Sequence, residues 1–315
     1  MHRYDPLGKL FMLGFMICLV SGLQLGSAEV QWSNQTVVAL LCLSGIFFQA
    51  FVVSQIWSAN YATIPPSVAR QRKVACGVLI FICWNGACHS MLYWLPLWFQ
   101  AVQGTTALKS GVNTLPLPLS FMTASFLCAV IDSKTRRHVP WILCGGIFMS
   151  VGAGMVTRFD MDTPSATWIG YQVLFGVGAG FVEAVRSCLI TDKETWFQVM
   201  PFASSVGAVV SAAVWQAIFS NSLRSGLQPE PGIMDLIQEN GASELAAKLS
   251  PHVMDPGIVH GFLRLFNGAM RDGMYAVVVA ASLMAIPAVL AKDWKRRGEP
   301  SDQEREQPPS MTETA

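Results

Sequence analysis

The chain has 315 residues, of which 52% are apolar and only 13% are charged, with a formal net charge of +1. A soluble domain carries about 25% charged residues, so this composition excludes an ordinary water-soluble globule. The near-neutral charge and the lack of a basic tract before the C-terminal tail exclude nucleic acid as a partner. The eight cysteines form no CxxC pair, which excludes a disulfide scaffold and a Cys-rich metal site.

Eight apolar runs follow one another along the chain, each close to the roughly 20 residues that a helix needs to cross a bilayer. In chain order they are approximately Leu7–Leu25, Thr36–Gln55, Val74–Trp98, Ser110–Ile131, Val139–Thr157, Thr167–Ile190, Gln198–Asn221 and Met274–Ala291. Strands of a membrane β-barrel alternate in units of about ten residues, whereas these runs are continuous. The sequence therefore predicts an all-α, polytopic membrane bundle of about eight transmembrane helices.

The orientation follows from the basic residues near the ends of the predicted spans. If the chain crosses the membrane eight times, most Lys and Arg residues fall on one side of the membrane. Positive residues near the ends of spans are retained on the cytoplasmic side. Both termini are therefore expected in the cytoplasm. In an alternative interpretation, Arg3, the apolar run 11–20 and residues 26–28 form a cleaved signal peptide, which would leave seven spans.

The chain is predicted to divide into three regions. Residues 1–60 hold the first two spans, residues 70–291 form a six-helix bundle with a long external loop at 222–272, and residues 292–315 form a polar, disordered cytoplasmic tail. Apolar residues at helical spacing predict two short amphipathic helices in the loop, the second beginning at Pro256 and leading into the last span. These helices would lie on the outer membrane face or pack as a lid on the mouth of the bundle.

Proline and glycine are frequent inside the spans. Pro116 and Pro118 are expected to break the fourth span. Gly176, Gly178 and Gly180 form a GxGxG run in the sixth span, which resembles a dinucleotide-binding fingerprint. Because no strand accompanies the run, close helix–helix approach is the better explanation.

Polar residues inside the spans mark the candidate site. Asn85, His89 and Tyr93 recur every four residues in the third span, so they share one helical face, while Gln172 and Gln216 lie in the sixth and seventh spans. A polar side chain that faces lipid costs on the order of several kcal/mol. All five are therefore expected to face the bundle interior or an aqueous cavity, as candidates for a substrate pathway. His89 could be a hydrogen-bonded structural residue or a proton-exchanging group.

Glu183 and Arg186 are charged residues inside the sixth span, and their spacing allows them to pair on one helix. The pair could be structural or could couple transport to protons. Catalysis is not predicted, because the chain has no HExxH or GxSxG motif, no paired carboxylates on one helix and no Asp or His cluster on a cytoplasmic loop. No metal and no cofactor are predicted, and a membrane-embedded transferase lacks candidate catalytic residues.

Several motifs together resemble the fungal fourteen-span drug:proton antiporters of the major facilitator superfamily. The segment Tyr93–Gly104, followed by Ser110–Val112 and Leu115–Leu117, is similar to the YxLPxxFQxxxG and SGxxxLP motifs of the family's ninth span and the loop after it. Further similar segments lie in the first, third, sixth and seventh spans or just before them: Asp5–Gly8, Ile64–Pro66, Gly170–Gly180 and Gln216–Phe219.

The resemblance implies that the eight spans correspond to the two extra central helices and the C-terminal six-helix half of the family's fold. It implies proton-coupled efflux of small amphipathic organic compounds such as secondary metabolites, toxins or drugs, with the lipid bilayer, the substrate and protons as partners. The plasma membrane is the expected location.

The third, fourth, sixth and seventh spans would line the cavity, where the family has no counterpart for His89, Glu183 or Arg186. The missing N-terminal half implies pairing with a second transporter half or another copy, or else a truncated form. The alternative is a non-transporting half-bundle, vestigial or partner-binding.

Overall fold

The computed structural model describes residues 6–28, 33–57, 72–135, 138–186, 193–227 and 256–290. In these ranges the chain forms no strand but a short helical segment at 285–290 and nine longer α-helices. They are α1 (Pro6–Ala28), α2 (Gln35–Trp57), α3 (Arg72–Ala101), α4 (Ala107–Thr114), α5 (Pro116–Thr135), α6 (His138–Val156), α7 (Ser165–Arg186), α8 (Lys193–Leu227) and α9 (Pro256–Leu283). The first predicted loop helix and the tail at 292–315 lie outside the described residues.

Eight stretches of these helices are long and apolar enough to cross a membrane. The fourth stretch, Ala107–Thr135, contains both α4 and α5, and the last is His260–Leu290. Large apolar side chains cover the outer surface, for example Met122 and Phe126, which are 66% and 71% exposed. Such a surface is stable against lipid but not against water. The chain is therefore an integral, multi-pass membrane protein, and the predicted all-α bundle is confirmed.

The break in the fourth span falls at the predicted proline. α4 ends at Thr114 and α5 begins at Pro116, with Leu115 between them in a helical turn. Proline has no backbone N–H and fixes φ, so it suits the first position of a new helix rather than the interior of an old one. The Leu115 N–H donates to the carbonyl of Val112, which closes the end of α4.

The helices pack in a defined order. α1 packs along α2 and also against α8, and α8 packs against α3 and α9. From α9 the contacts continue to α6, then to α7 and finally to α5. The largest fully buried side chains of this bundle include Phe99, Met149, Phe175, Trp215 and Phe266. The two N-terminal spans are thus attached to the rest of the bundle at α8.

Glycines of α7 allow the backbones of neighbouring helices to come very close. A Cβ added to Gly178 would lie 2.6 Å from the backbone nitrogen of Met149 in α6. A Cβ added to Gly180 would lie 2.5 Å from a backbone oxygen of α5. These distances confirm the predicted close helix–helix approach. Gly170, by contrast, has open space around it.

The segment predicted as a loop at 222–272 is partly helical. α8 continues to Leu227, and α9 begins at Pro256 and runs without interruption into the last span. The second predicted loop helix is therefore the first part of a transmembrane helix rather than a separate surface helix. One reason is that its residues pack into the bundle, where Phe262 and Phe266 are buried.

Asn267 joins three elements at this end of the bundle. The Trp98 indole of α3 donates to Asn267 Oδ1 over 2.8 Å, and Asn267 Nδ2 donates to the carbonyl of Phe159 over 3.0 Å. Phe159 belongs to the connection between α6 and α7. One amide side chain thus satisfies a donor and an acceptor that would otherwise be buried without partners.

We expect Asn267→Ala to lower the free energy of unfolding by about 1–2 kcal/mol, because it leaves both groups unsatisfied. Reversible unfolding in mixed micelles measures this difference. The matched control is Asn221→Ala, because Asn221 is exposed on α8. Equal losses in the two variants would show that the bridge contributes no specific stability.

Candidate functional site

The predicted polar face of α3 is present on the surface of the bundle. Tyr93 is 68% exposed, His89 is exposed and Asn85 is half-buried. Residues on the opposite face of the same helix, such as Ala87 and Met91, are buried in the core. The four-residue spacing places Asn85, His89 and Tyr93 on one face of α3.

Asn85 also has a structural contact. Its Nδ2 donates to the carbonyl of Ser204 in α8. One turn further along α3, the Ser90 and Ser211 hydroxyls are 2.6 Å apart, and Ser211 also donates to the carbonyl of Gly86. Polar groups thus attach α3 to α8 along one edge and leave His89 and Tyr93 exposed beside that edge.

A cavity of about 740 Å³ lies between α1, α3 and α8. Its polar and aromatic lining consists of Ser21 and Gln24 from α1, Tyr93 and Trp94 from α3, and Gln216 from α8. Aliphatic side chains complete the described lining, namely Val20, Leu25, Val209, Ala212 and Ala213. None of the described lining residues is charged. Such a cavity can bind a small organic molecule by stacking and hydrogen bonding.

A stacked aromatic cluster supports one wall of this cavity. The Trp94 and Trp215 rings are parallel to within 14°, with their centroids 3.6 Å apart, and Phe219 stacks on Trp215 at 5.2 Å. Tyr93 meets the Trp94 ring edge-on at 4.8 Å. This cluster was not predicted from the sequence, because a tryptophan in an apolar span gives no signal of what it faces.

The two glutamines lie in different surroundings. Gln216 is half-buried, lines the cavity with Tyr93 and donates to Ser220 Oγ over 3.3 Å. Gln172 is fully buried, and its Nε2 donates to the carbonyl of Asn113 over 3.0 Å, which fastens α7 to α4. Among the described residues Gln172 does not line the cavity. The structure therefore brings Tyr93 and Gln216 together and places Gln172 elsewhere in the bundle.

Glu183 is half-buried in α7. The side chain of Arg186 lies outside the described residues, so the Glu183–Arg186 pair stays a prediction. In the part of the chain that the structure describes, no three His, Cys, Asp or Glu side chains come together in a way that could hold a metal ion.

A different pair of titratable side chains lies between the end of α5 and the start of α6. His138 Nδ1 is 2.8 Å from Asp132 Oδ2, with the Asp132 side chain 4% exposed and that of His138 29% exposed. The other carboxylate oxygen, Oδ1, is buried and has no hydrogen-bond partner among the described residues. This pair was not predicted from the sequence. The available signal was an acidic residue in the last turn of one span and a histidine at the start of the next.

Comparison with known proteins shows which proteins this chain resembles. No family model matches the chain. It is 35% identical over 300 residues to the Rubrofusarin-specific efflux pump aurT of Gibberella zeae, covering 93% of this chain and 54% of the pump. It is 33% identical to the MFS-type transporter VdtG of Byssochlamys spectabilis, and the match covers 93% of this chain and 53% of that transporter. It is 32% identical to the MFS acetylaranotin efflux transporter ataA of Aspergillus terreus, and the match covers 91% of this chain and 65% of that transporter.

The chain is therefore a homologue of fungal transporters of the major facilitator type. It spans about half the length of most of the curated relatives it matches. A solved structure shares the fold: the bacterial homolog of the human lysosomal transporter Spinster, in an inward-facing and occupied conformation, aligns with a TM-score of 0.58. That alignment is 13% identical and covers 92% of this chain and 69% of the other. The helices described above are therefore arranged as in that transporter structure.

Proposed function

We propose that this major facilitator chain takes part in the efflux of small amphipathic organic compounds, such as secondary metabolites, toxins or drugs, with protons as the coupling ion. The observation that carries the proposal is the polar face of α3, where His89 and Tyr93 are exposed within a membrane-spanning helix. Exposing polar side chains to lipid costs free energy, so this face of α3 is expected to line a water-filled pathway. The names of the curated relatives support export as the direction.

Transport rather than catalysis suits the described residues. The cavity beside α3 offers amide, hydroxyl and aromatic groups but no charged one, so it supplies binding contacts without an acid, a base or a nucleophile activated by one. Residues 70–291 would form the six-helix transporter bundle and residues 1–60 the two extra helices. Both termini would lie in the cytoplasm, with the plasma membrane as the site of action.

Flux through reconstituted vesicles tests the function. The purified chain is placed in proteoliposomes, a pH gradient is imposed, and the movement of 1-hydroxyanthraquinone, rhodamine 6G and 9-aminoacridine is followed by fluorescence or absorbance. We expect gradient-dependent accumulation of at least one compound above the level in protein-free vesicles. Movement of none would contradict autonomous transport.

The exposed imidazole of His89 is the candidate proton carrier, because an imidazole ring can both take up and release a proton. We expect His89→Gln to reduce gradient-dependent flux by about tenfold or more, equivalent to about 1.4 kcal/mol, without changing the melting temperature. His260→Gln is the matched control, because His260 is exposed on α9. Loss of His89→Gln from the membrane, with His260→Gln unaffected, would instead assign His89 a structural role.

The alternative function is a half-bundle that binds another membrane polypeptide or a second copy of itself without transporting, through the exposed part of α3 that holds His89 and Tyr93. Purification from native membranes in a mild detergent, followed by mass measurement of the complex, distinguishes the two functions. A stable complex without flux would favour the half-bundle, and flux by the chain alone would exclude it.

A further inference from the structure

We propose that the cavity between α1, α3 and α8 is a binding site for uncharged, planar aromatic compounds that carry hydrogen-bonding oxygen atoms, and that α1 contributes to its specificity through Ser21 and Gln24. The inference rests on the proposed transport function, because it names the class of substrate that this site selects. It adds a helix that lies outside the six-helix bundle to the residues that recognise the substrate.

The size and the lining of the cavity point to an organic ligand. Its volume of about 740 Å³ lies inside the range of about 300–1,000 Å³ that is usual for small-molecule sites. Because no described lining residue is charged, an ionised ligand would lose its hydration there without gaining a counter-charge. The cavity is therefore selective for neutral molecules.

Tyr93 supplies the aromatic contact. Its ring is 68% exposed, so one face is available for a planar ligand. The ring is held from behind, because Tyr93 meets the edge of Trp94 at 4.8 Å and Trp94 is itself stacked on the fully buried Trp215. An aromatic surface that is already fixed loses little conformational freedom when a ligand stacks on it.

Hydrogen-bonding groups surround that ring on two sides. Gln24 and Ser21 reach the cavity from α1, and Gln216 reaches it from α8. An amide side chain can donate and accept hydrogen bonds and a serine hydroxyl can do either, and Gln216 also donates to Ser220 Oγ. Trp94 also lines the cavity, and its indole N–H is buried without a hydrogen-bond partner among the described residues. A ligand with carbonyl or hydroxyl oxygens matches this mixture better than a hydrocarbon does.

Binding in lipid nanodiscs tests the site without any gradient. Three tricyclic probes of similar size are compared by equilibrium dialysis against protein-free nanodiscs of the same lipid: neutral 1-hydroxyanthraquinone, anionic anthraquinone-2-sulfonate and cationic 9-aminoacridine. We expect the neutral probe to bind at least about tenfold more tightly than either ion. Equal or tighter binding of an ion to the wild-type chain would overturn the proposal, and this comparison needs no variant.

Substitutions in α1 test its part in the site. We expect the double variant Ser21→Val with Gln24→Leu to weaken binding of 1-hydroxyanthraquinone by about tenfold, because it removes two hydrogen-bonding groups. The matched control is Ser54→Val with Gln49→Leu, the same changes in α2, where neither residue lines the cavity. Unchanged affinity in the α1 variant would overturn the role of α1. If binding is neutral-selective and depends on α1 but no probe moves in proteoliposomes, the site stands and the transport function fails.

Discussion

Gly178→Ala is expected to lower the free energy of unfolding by about 3 kcal/mol, the upper part of the range for overpacked sites. The new methyl group would lie 2.6 Å from the backbone nitrogen of Met149 and 2.7 Å from the carbonyl oxygen of Gly145. Both are backbone atoms of α6, so they cannot move aside as the end of a side chain can. The two helices would have to separate, and the contacts between them would be lost along their length.

The control for this prediction is Gly170→Ala in the same helix. Gly170 is exposed and has nothing within 4 Å of an added Cβ, and alanine is a better helix former than glycine by about 1 kcal/mol. We expect this variant to be as stable as the wild type or slightly more so. Melting of both variants in the same detergent measures the difference, and equal melting temperatures would show that the close contact of α6 and α7 does not stabilise the bundle.

His138→Ala is expected to destabilise the protein by about 3 kcal/mol, as for other buried ion pairs that lose one partner. The Asp132 side chain is 4% exposed, so its carboxylate would remain buried without the imidazole that pairs with Oδ2. The other oxygen already has no hydrogen-bond partner in the described part of the chain. The cost arises from an unpaired charge rather than from a lost packing contact.

A double variant separates these two causes. Adding Asp132→Asn to His138→Ala removes the charge, so the double variant should recover at least about 1 kcal/mol relative to His138→Ala alone. His260→Ala, at an exposed site on α9, controls for the loss of a histidine. If the double variant is less stable than His138→Ala, the pair does not act through the charge of Asp132.

The features that the sequence predicted depend on local spacing. Asn85, His89 and Tyr93 stand at intervals of one helical turn in an otherwise apolar run, so their shared face follows from helix geometry alone. Pro116 breaks the fourth span because proline cannot donate a backbone hydrogen bond. The glycines of α7 were predicted as helix–helix contact points, because only small residues allow two helix backbones to come close.

The features that the sequence did not predict are contacts between distant parts of the chain. The stacking of Trp94 on Trp215 depends on how α3 packs against α8, and no local pattern encodes that pairing. The same holds for α1, whose packing against α8 adds Ser21 and Gln24 to the cavity. Gln172 is a further example, because the hydrogen bond that its side chain forms between α7 and α4 joins distant parts of the chain.

Thiol labelling tests most directly whether the α3 face is open to water within the membrane. In a chain whose eight cysteines have been replaced, a single cysteine is introduced as His89→Cys, Tyr93→Cys or Phe126→Cys and treated in intact membranes with a charged, membrane-impermeant thiol reagent. We expect positions 89 and 93 to react, since a thiolate forms only where water reaches it, and the exposed apolar position of Phe126 on α5 to stay unmodified. Lack of reaction at 89 and 93, or equal reaction at all three positions, would contradict a water-filled pathway along α3.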